Sequence, residues 1–243
     1  MPTPEVPHWL AGRTAIVTGA SRGIGRATAI ALAGTAAHVV IVGRDAEALE
    51  QTCDLIHHGG GQAKSVIADV SRGDDVDRIF RAAEMLGPPT ALVCAAAVLQ
   101  RVPFAETSLA TWQDTLAVNL TGTFLCCRAA FAAMQADGGG RIVNIASLSG
   151  VYGTEKFPGL SAYNVSKYGV IGLTEAIAVE GKPHGITAVC VSPGAVDTRM
   201  LRQANPDLRP GLQPEHVADL IVALLDNPMA PASGANIPLF SNA

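Results

Sequence analysis

Arg13-Thr-Ala-Ile-Val-Thr18, Gly19-Ala-Ser-Arg-Gly-Ile-Gly25 and Arg26-Ala-Thr-Ala-Ile-Ala-Leu-Ala33 follow one another without a break near the start of the chain. The first is a β-branched run, the third an apolar helical run, and the second the turn between them. Strand, glycine-rich turn and helix make an anion site, because backbone N–H groups and a helix N-terminus come close to a pyrophosphate there. Glycine is needed where a Cβ would hold the phosphate away. The glycines fall at 19, 23 and 25, a G-x-x-x-G-x-G spacing in place of the commoner G-x-G-x-x-G.

Working outward, the same alternation repeats. His38-Val-Val-Ile-Val42 reads as a second strand, Ala46 to His57 as a helix, Gln62 to Ala68 as a third strand and Asp74 to Leu86 as a helix. Further strands are read at Thr90–Ala95, Arg141–Ala146, Ile186–Val191 and, at the edge, Ala235–Leu239. Between them lie helices at Leu109–Met134, from about Ser161 to Val179, and Pro214–Leu225. Strands alternating with helices of a dozen residues imply an α/β fold: a single-domain, doubly wound, Rossmann-type parallel sheet of about seven strands with helices on both faces. The whole of 1–243 is taken as that domain, with 1–11 an N-terminal extension and 199–213 a short substrate-loop region.

Past the second strand the chain reads Gly43-Arg44, with no acid until Asp45. An acid at that place would accept from the adenosine ribose and repel a 2′-phosphate. Arg44 with Arg22 would instead form a fork for the 2′-phosphate of NADP, so NADP(H) is expected over NAD(H), which stays possible. The alternative reading makes both solvated surface arginines. Asp69-Val70, at the end of the third strand, is positioned to contact the adenine, although an Asp before Ser71 also serves as a turn residue.

The 243 residues carry a net charge of −4, 49% apolar and 16% charged residues, with no Lys/Arg cluster. That composition fits a well-buried enzyme and argues against nucleic-acid binding. No secretory signal is read in Met1–Ala11, and no apolar run is judged long enough for a membrane span. The five cysteines lack C-x-x-C spacing and the six histidines lack H-x-x-x-H spacing. Buried free thiols in a reducing cytoplasm and no metal site are therefore expected.

Ser161-Ala-Tyr-Asn-Val-Ser-Lys-Tyr-Gly-Val-Ile-Gly172 opens a helix-length segment, so Tyr163 and Lys167 share one helical face. A phenol is a poor proton donor or acceptor at neutral pH unless a nearby cation favours its ionised form, and Lys167 is placed to be that cation. Ser147 follows the fifth strand, where sites in open α/β sheets are built. Ser149 is its nearest rival. The loop from Leu148 to Leu160, with Tyr152, Phe157 and Pro158, is expected to line a pocket.

Together these stretches resemble the short-chain dehydrogenase/reductase family, over essentially Gly12 to Leu239. Thr18-Gly-Ala-Ser-Arg-Gly-Ile-Gly25 is similar to the family's cofactor turn, Asn119 in Val-Asn-Leu-Thr-Gly to its helix asparagine, and Ser147 to its serine. Tyr163-Asn-Val-Ser-Lys167 is similar to its Tyr-x-x-x-Lys element, and Pro193-Gly-Ala-Val-Asp-Thr198 to the loop that holds the nicotinamide carboxamide. The resemblance implies four catalytic groups: Tyr163 as general acid or base, Lys167 lowering its pKa and binding the nicotinamide ribose, Ser147 donating to the substrate oxygen, and Asn119 holding a relay water. It implies cofactor contacts from Gly19, Ser21, Arg22, Gly23, Ile24, Gly25, Arg44, Asp69, Val70, Ala95, Tyr163, Lys167, Pro193, Gly194, Val196 and Thr198. The substrate pocket is expected to include Ser147, Leu148, Tyr152, Phe157, Leu160 and Met200.

Three departures from the family pattern stand out. Cys94-Ala-Ala-Ala97 replaces the usual Asn-Asn-Ala-Gly, Ser147 and Tyr163 are sixteen apart, and only Arg199 to Gln213 separate the carboxamide loop from the last helix. The expected activity is NADPH-dependent reduction of a ketone such as a 3-oxoacyl thioester, or oxidation of the corresponding alcohol, on a small molecule in a cytoplasmic homodimer or homotetramer. The alternatives are an NAD-dependent alcohol, hydroxysteroid or polyol dehydrogenase and a non-catalytic NADP-binding scaffold.

Overall fold

Seven parallel strands form one sheet in the order β3-β2-β1-β4-β5-β6-β7. The computed structural model describes residues 9–226 and 230–241, so residues 1–8 of the expected extension lie outside the described residues. The strands are β1 (Thr14–Thr18), β2 (His38–Gly43), β3 (Gln62–Ile67), β4 (Pro89–Cys94), β5 (Gly140–Ile145), β6 (Ile186–Pro193) and β7 (Asn236–Leu239). Helices α1 (Gly23–Ala33), α2 (Ala46–His58), α3 (Gly73–Glu84), α4 (Leu109–Leu116), α5 (Gly122–Ala136), α6 (Ser161–Gly181), α7 (Arg199–Ala204) and α8 (Pro214–Asp226) connect them.

Successive side chains of a strand point to opposite faces, and here both faces are buried. Ala15, Val17, Val39, Ile41, Val93, Val143 and Val191 form one core with Leu32 of α1, Leu49 and Ile56 of α2, and Val217 and Ile221 of α8. Ile16, Val40, Val42, Leu92 and Ile142, one residue out of step, form the other with Ile79 of α3, Cys126 and Met134 of α5, and Ile177 of α6. Both faces being buried, the central strands read as largely apolar runs, and the polar Thr18 and Asn144 within them are hydrogen-bonded. The chain crosses from β1 to β2 on one side and later returns to place β4 on the other, so a crevice opens above the carboxyl ends of β1 and β4.

The segment read as one helix from Leu109 to Met134 is continuous to Ala136, but a π-helical turn at Ala117–Thr121 interrupts it around Asn119. Its mean hydropathy reaches 1.4 over an 18-residue window, so by length and composition it could cross a membrane, contrary to the reading of no apolar run that long. The fold uses it otherwise: Cys126, Cys127, Ala130 and Met134 pack on the sheet. Within the expected substrate loop, Arg199–Ala204 forms α7, whose six residues carry too little periodicity to mark a helix in the sequence.

Beyond residue 8 the expected extension is packed. Trp9 is held between two guanidinium groups, Arg141 at 3.8 Å and Arg13 at 4.5 Å from the ring centroid. Such cation–π contacts fasten the segment to the amino-terminal side of the sheet.

Candidate active site

The crevice is a cleft of about 1060 Å³ running from the glycine turn to the loop before α6. Gly19 has φ +68°, and a Cβ on it would stand 2.7 Å from the Ala95 carbonyl and Ala96 Cα. A Cβ on Gly25 would stand 2.3 Å from the Gly19 carbonyl oxygen. At Gly19 and Gly25 the turn is thus backbone packed on backbone. Arg22, at the N-cap of α1, places no side-chain bond on the helix, and the first turn holds no acid. Those open N–H groups suit an anion, so the residues present fit a dinucleotide.

Every residue expected to contact cofactor lines this cleft, from Gly19, Ser21, Arg22, Gly23, Ile24 and Gly25 through Arg44, Asp69, Val70 and Ala95 to Tyr163, Lys167, Pro193, Gly194, Val196 and Thr198. Ser147, Leu148, Tyr152, Phe157, Leu160 and Met200 line it too, whereas Asn119 does not. Pro158 turns its carbonyl to Arg101 instead of facing the cleft.

At the adenosine end the two arginines are engaged with acids. Arg22 pairs with Asp45, and Arg44 lies 3.5 Å from Asp69. The Asp45 carboxyl is held below its ordinary value by the Ala48 amide first, against desolvation, with Arg22 and then Arg199 adding to the lowering. Asp69 also accepts from the Ser71 amide at 3.0 Å and hydroxyl at 2.7 Å, the turn role open to it from sequence.

Tyr163 and Lys167 stand on one face of α6, 8% and 3% exposed. Burial pushes the Tyr163 phenol up to about 12, and a hydrogen bond from Ser147 pulls it back only in part. In this structure it is the Ser147 hydroxyl, not Lys167, that pulls the phenol's value down. The Lys167 amine donates to the Ile145 carbonyl at 2.8 Å and lies 5.6 Å from the phenol ring centroid. Burial in turn brings the Lys167 ammonium down to about 8. The Ser147 hydroxyl, beside the phenol, accepts from the Ser149 amide at 3.1 Å.

Asn119 is wholly buried and spends its side chain on structure. It accepts from the Val98 amide at 2.8 Å and donates to the Val98 carbonyl at 2.9 Å and to Ser166 Oγ at 3.1 Å. The loop after β4 is thereby pinned to the π-helical turn. At Cys94–Ala97, where the sequence departs from the family, other residues supply the polar links. Thr18 Oγ1 accepts from both the Ala95 and Ala96 amides at 3.2 Å. Cys127 donates to Asn144 Oδ1 at 3.3 Å, and Asn144 donates to Thr174 at 3.0 Å.

Two participants escape a sequence reading. Gly150 abuts α6 so closely that a Cβ would stand 2.5 Å from the Lys167 carbonyl carbon. Arg101 lines the cleft and donates to the Pro158 and Ala204 carbonyls at 3.1 and 3.2 Å. No local signal marks either, since both partners are distant in sequence.

A parallel sheet of this order, with a glycine turn at one end of its crevice and a buried phenol, hydroxyl and ammonium at the other, defines a dinucleotide-dependent oxidoreductase. The chain belongs to the short-chain dehydrogenase/reductase family, residues 13–209 matching the short chain dehydrogenase family as a whole. It is 37% identical over 231 residues to a 3-oxoacyl-[acyl-carrier-protein] reductase of Synechocystis sp., covering 91% of this chain and 92% of the relative. It is 35% identical over 237 residues to the cis-4-hydroxycyclohexanecarboxylate dehydrogenase of Sinomonas cyclohexanicum, covering 93% and 94% of the two chains. A solved structure from Beutenbergia cavernae, assigned as an NAD(P) dependent gluconate 5-dehydrogenase with NADP bound at low occupancy, superposes with a TM-score of 0.89 at 32% identity, covering 97% of this chain and 98% of that one. The protein is an oxidoreductase of the NAD(P)-binding kind that this family comprises.

Proposed function

We propose that the protein reduces a ketone with NADPH, or oxidises the corresponding secondary alcohol, with Tyr163 moving the proton. The observation that carries this reading is the meeting of Ser147, Tyr163 and Lys167 on one cleft whose other end is the glycine turn. The nicotinamide, when bound, supplies the hydride. The Ser147 hydroxyl donates to the substrate oxygen as charge builds on it, and the Tyr163 phenol delivers the proton that makes the alcohol. Lys167 carries the positive charge beneath the site. Asn119 acts as a positioning residue for the loop after β4, and its water-holding role rests on the family resemblance alone. The acyl-carrier-protein reductase relative favours a 3-oxoacyl thioester, and the Sinomonas relative a hydroxy acid.

Arg22 and Arg44 on the adenosine wall support NADP(H) as the preferred cofactor. Asp45 and Asp69, each paired with one of them, favour the second reading, an NAD-dependent dehydrogenase, because a carboxylate there opposes a 2′-phosphate. Cofactor oxidation against a ketone panel tests both. Wild type is expected to show the higher kcat/KM with NADPH, and Arg44→Asp to lower it about tenfold or more while leaving NADH turnover intact. A wild-type preference for NADH removes the NADP assignment. Calorimetric binding of NADPH without turnover on any carbonyl would leave a non-catalytic scaffold.

The helical layer of α4, α5 and α6 leaves Leu109, Phe124, Val165 and Tyr168 exposed. Apolar side chains on adjoining helices support pairing through this layer into a homodimer or homotetramer. Light scattering at micromolar concentration is expected to show a dimer or tetramer, and a monomer would exclude it. The five free cysteines fit a reducing, cytoplasmic setting.

A further inference from the structure

On the substrate side the cleft wall is apolar, with Leu99, Leu148, Phe157, Leu160, Met200 and Leu208 facing it, and Arg101 interrupts it. The other cations of the cleft are accounted for. Arg22 and Arg44 are paired with acids at the adenosine end, Arg199 acts on Asp45 there, and Lys167 is buried beneath the phenol. Arg101 has no such partner. The ion pairs among the described residues engage Arg22, Arg44, Arg78 and Arg202.

The Arg101 head is nonetheless held in place. Nε donates to the Pro158 carbonyl and one Nη1–H to the Ala204 carbonyl, so the group spans from the loop before α6 to the end of α7. Its stem runs over Gly159, where a Cβ would stand 2.9 Å from Arg101 Cγ. Arg101 is exposed, and of the five N–H donors in its rigid fork the two carbonyls leave three, with the charge, open to solvent and without a protein partner among the described residues. A fixed fork at the end of an apolar slot matches a carboxylate, which it can grip through two parallel hydrogen bonds.

We propose that Arg101 binds a carboxylate on the substrate, remote from its reacting carbonyl, and that the substrate class is an oxo acid with an apolar body. This deepens the carbonyl-reductase reading and rests on it for the placement of the carbonyl at Tyr163. Glu155 lines the same side of the cleft and is exposed, so a second negative charge on the ligand is disfavoured.

The test separates binding from turnover. 4-Oxopentanoate and 6-oxoheptanoate, each beside its methyl ester, are titrated calorimetrically into protein saturated with oxidised cofactor, for wild type, Arg101→Met and Arg101→Lys. In wild type an acid is expected to bind about tenfold or more tightly than its ester, the worth of a charge-assisted contact at an open site. Arg101→Met should erase that preference with ester binding unchanged, and Arg101→Lys should keep part of it. No preference for the acid at either length overturns the proposal. Equal weakening of acid and ester by Arg101→Met also overturns it, since that marks Arg101 as a brace between α7 and the loop. Reduction by NADPH is measured separately: preference without turnover defeats the reductase reading and keeps the carboxylate site, and turnover without preference does the reverse.

Discussion

Tyr163→Phe is expected to lower kcat/KM for ketone reduction by about 10²- to 10⁴-fold while the fold and cofactor affinity persist. Phenylalanine fills the same space in the first turn of α6, so the change removes a proton donor and little packing. With burial pushing its pKa up to about 12, the phenol holds its proton at neutral pH. Lys167, at about 8, is charged at pH 7 and loses that charge just above it. Hence kcat/KM for reduction should be level below about pH 8 and fall as pH rises through it.

Stability moves the other way over the same window. Burial lowers the Lys167 pKa from 10.5 to about 8, so its cost to the fold is full below pH 8 and shrinks as pH rises toward 10.5. The Tyr163 value is raised from 10 to about 12, so its contribution is fully present below pH 10 and is lost only as pH rises through 12. A rate that falls between pH 8 and 10 while this pair imposes no loss of Tm would place the effect in the chemistry. Equal rates for Tyr163→Phe and wild type would remove Tyr163 as the proton donor.

Gly150→Val is the second large loss expected. The side chain would have to enter the space held by the Lys167 carbonyl carbon, the Lys167 oxygen at 2.7 Å and the Tyr168 amide at 2.8 Å, all backbone atoms of a 21-residue helix. Neither side yields cheaply, and overpacking of this kind costs about 1–3 kcal/mol. The short turn at Leu148–Gly150 is capped by Ser147, so its displacement carries the Ser147 hydroxyl away from the phenol. A shift of about 1 Å at a reacting centre costs on the order of 10²-fold in rate. Gly172→Ala, in the same helix with nothing within 4 Å of its Cβ, is the control and should raise stability by about 0.5–1 kcal/mol. Wild-type turnover in Gly150→Val, measured beside that control, would show the turn free to move.

The sheet was legible because its determinants are local: short apolar and β-branched runs of four to eight residues, glycines where the chain turns, and helices of a dozen residues between them. The glycine turn and the Tyr163–Lys167 spacing were legible for the same reason. What tertiary packing decides was not. The upward pKa of Tyr163 arises from burial, which its i, i+4 lysine does not reveal. Asn119 finds its partner Val98 across 21 residues, and Arg101 reaches Ala204 across 103. Gly150 looks like any turn glycine until α6 is laid against it.

The sulfur chemistry has a practical side. Cys94, Cys126, Cys127 and Cys190 are sealed in the interior; the Cys126 and Cys127 thiols first, and burial after them, drive the Cys94 value upward, and burial drives Cys190 up, away from the reactive thiolate. Cys53 on α2 is partly open to solvent, and desolvation raises its pKa as well, so its accessibility and not a lowered pKa sets it apart. A maleimide dye or spin probe applied to the folded chain therefore has a single natural address, on a helix outside the catalytic wall, so an optical reporter can be attached without first deleting any native cysteine.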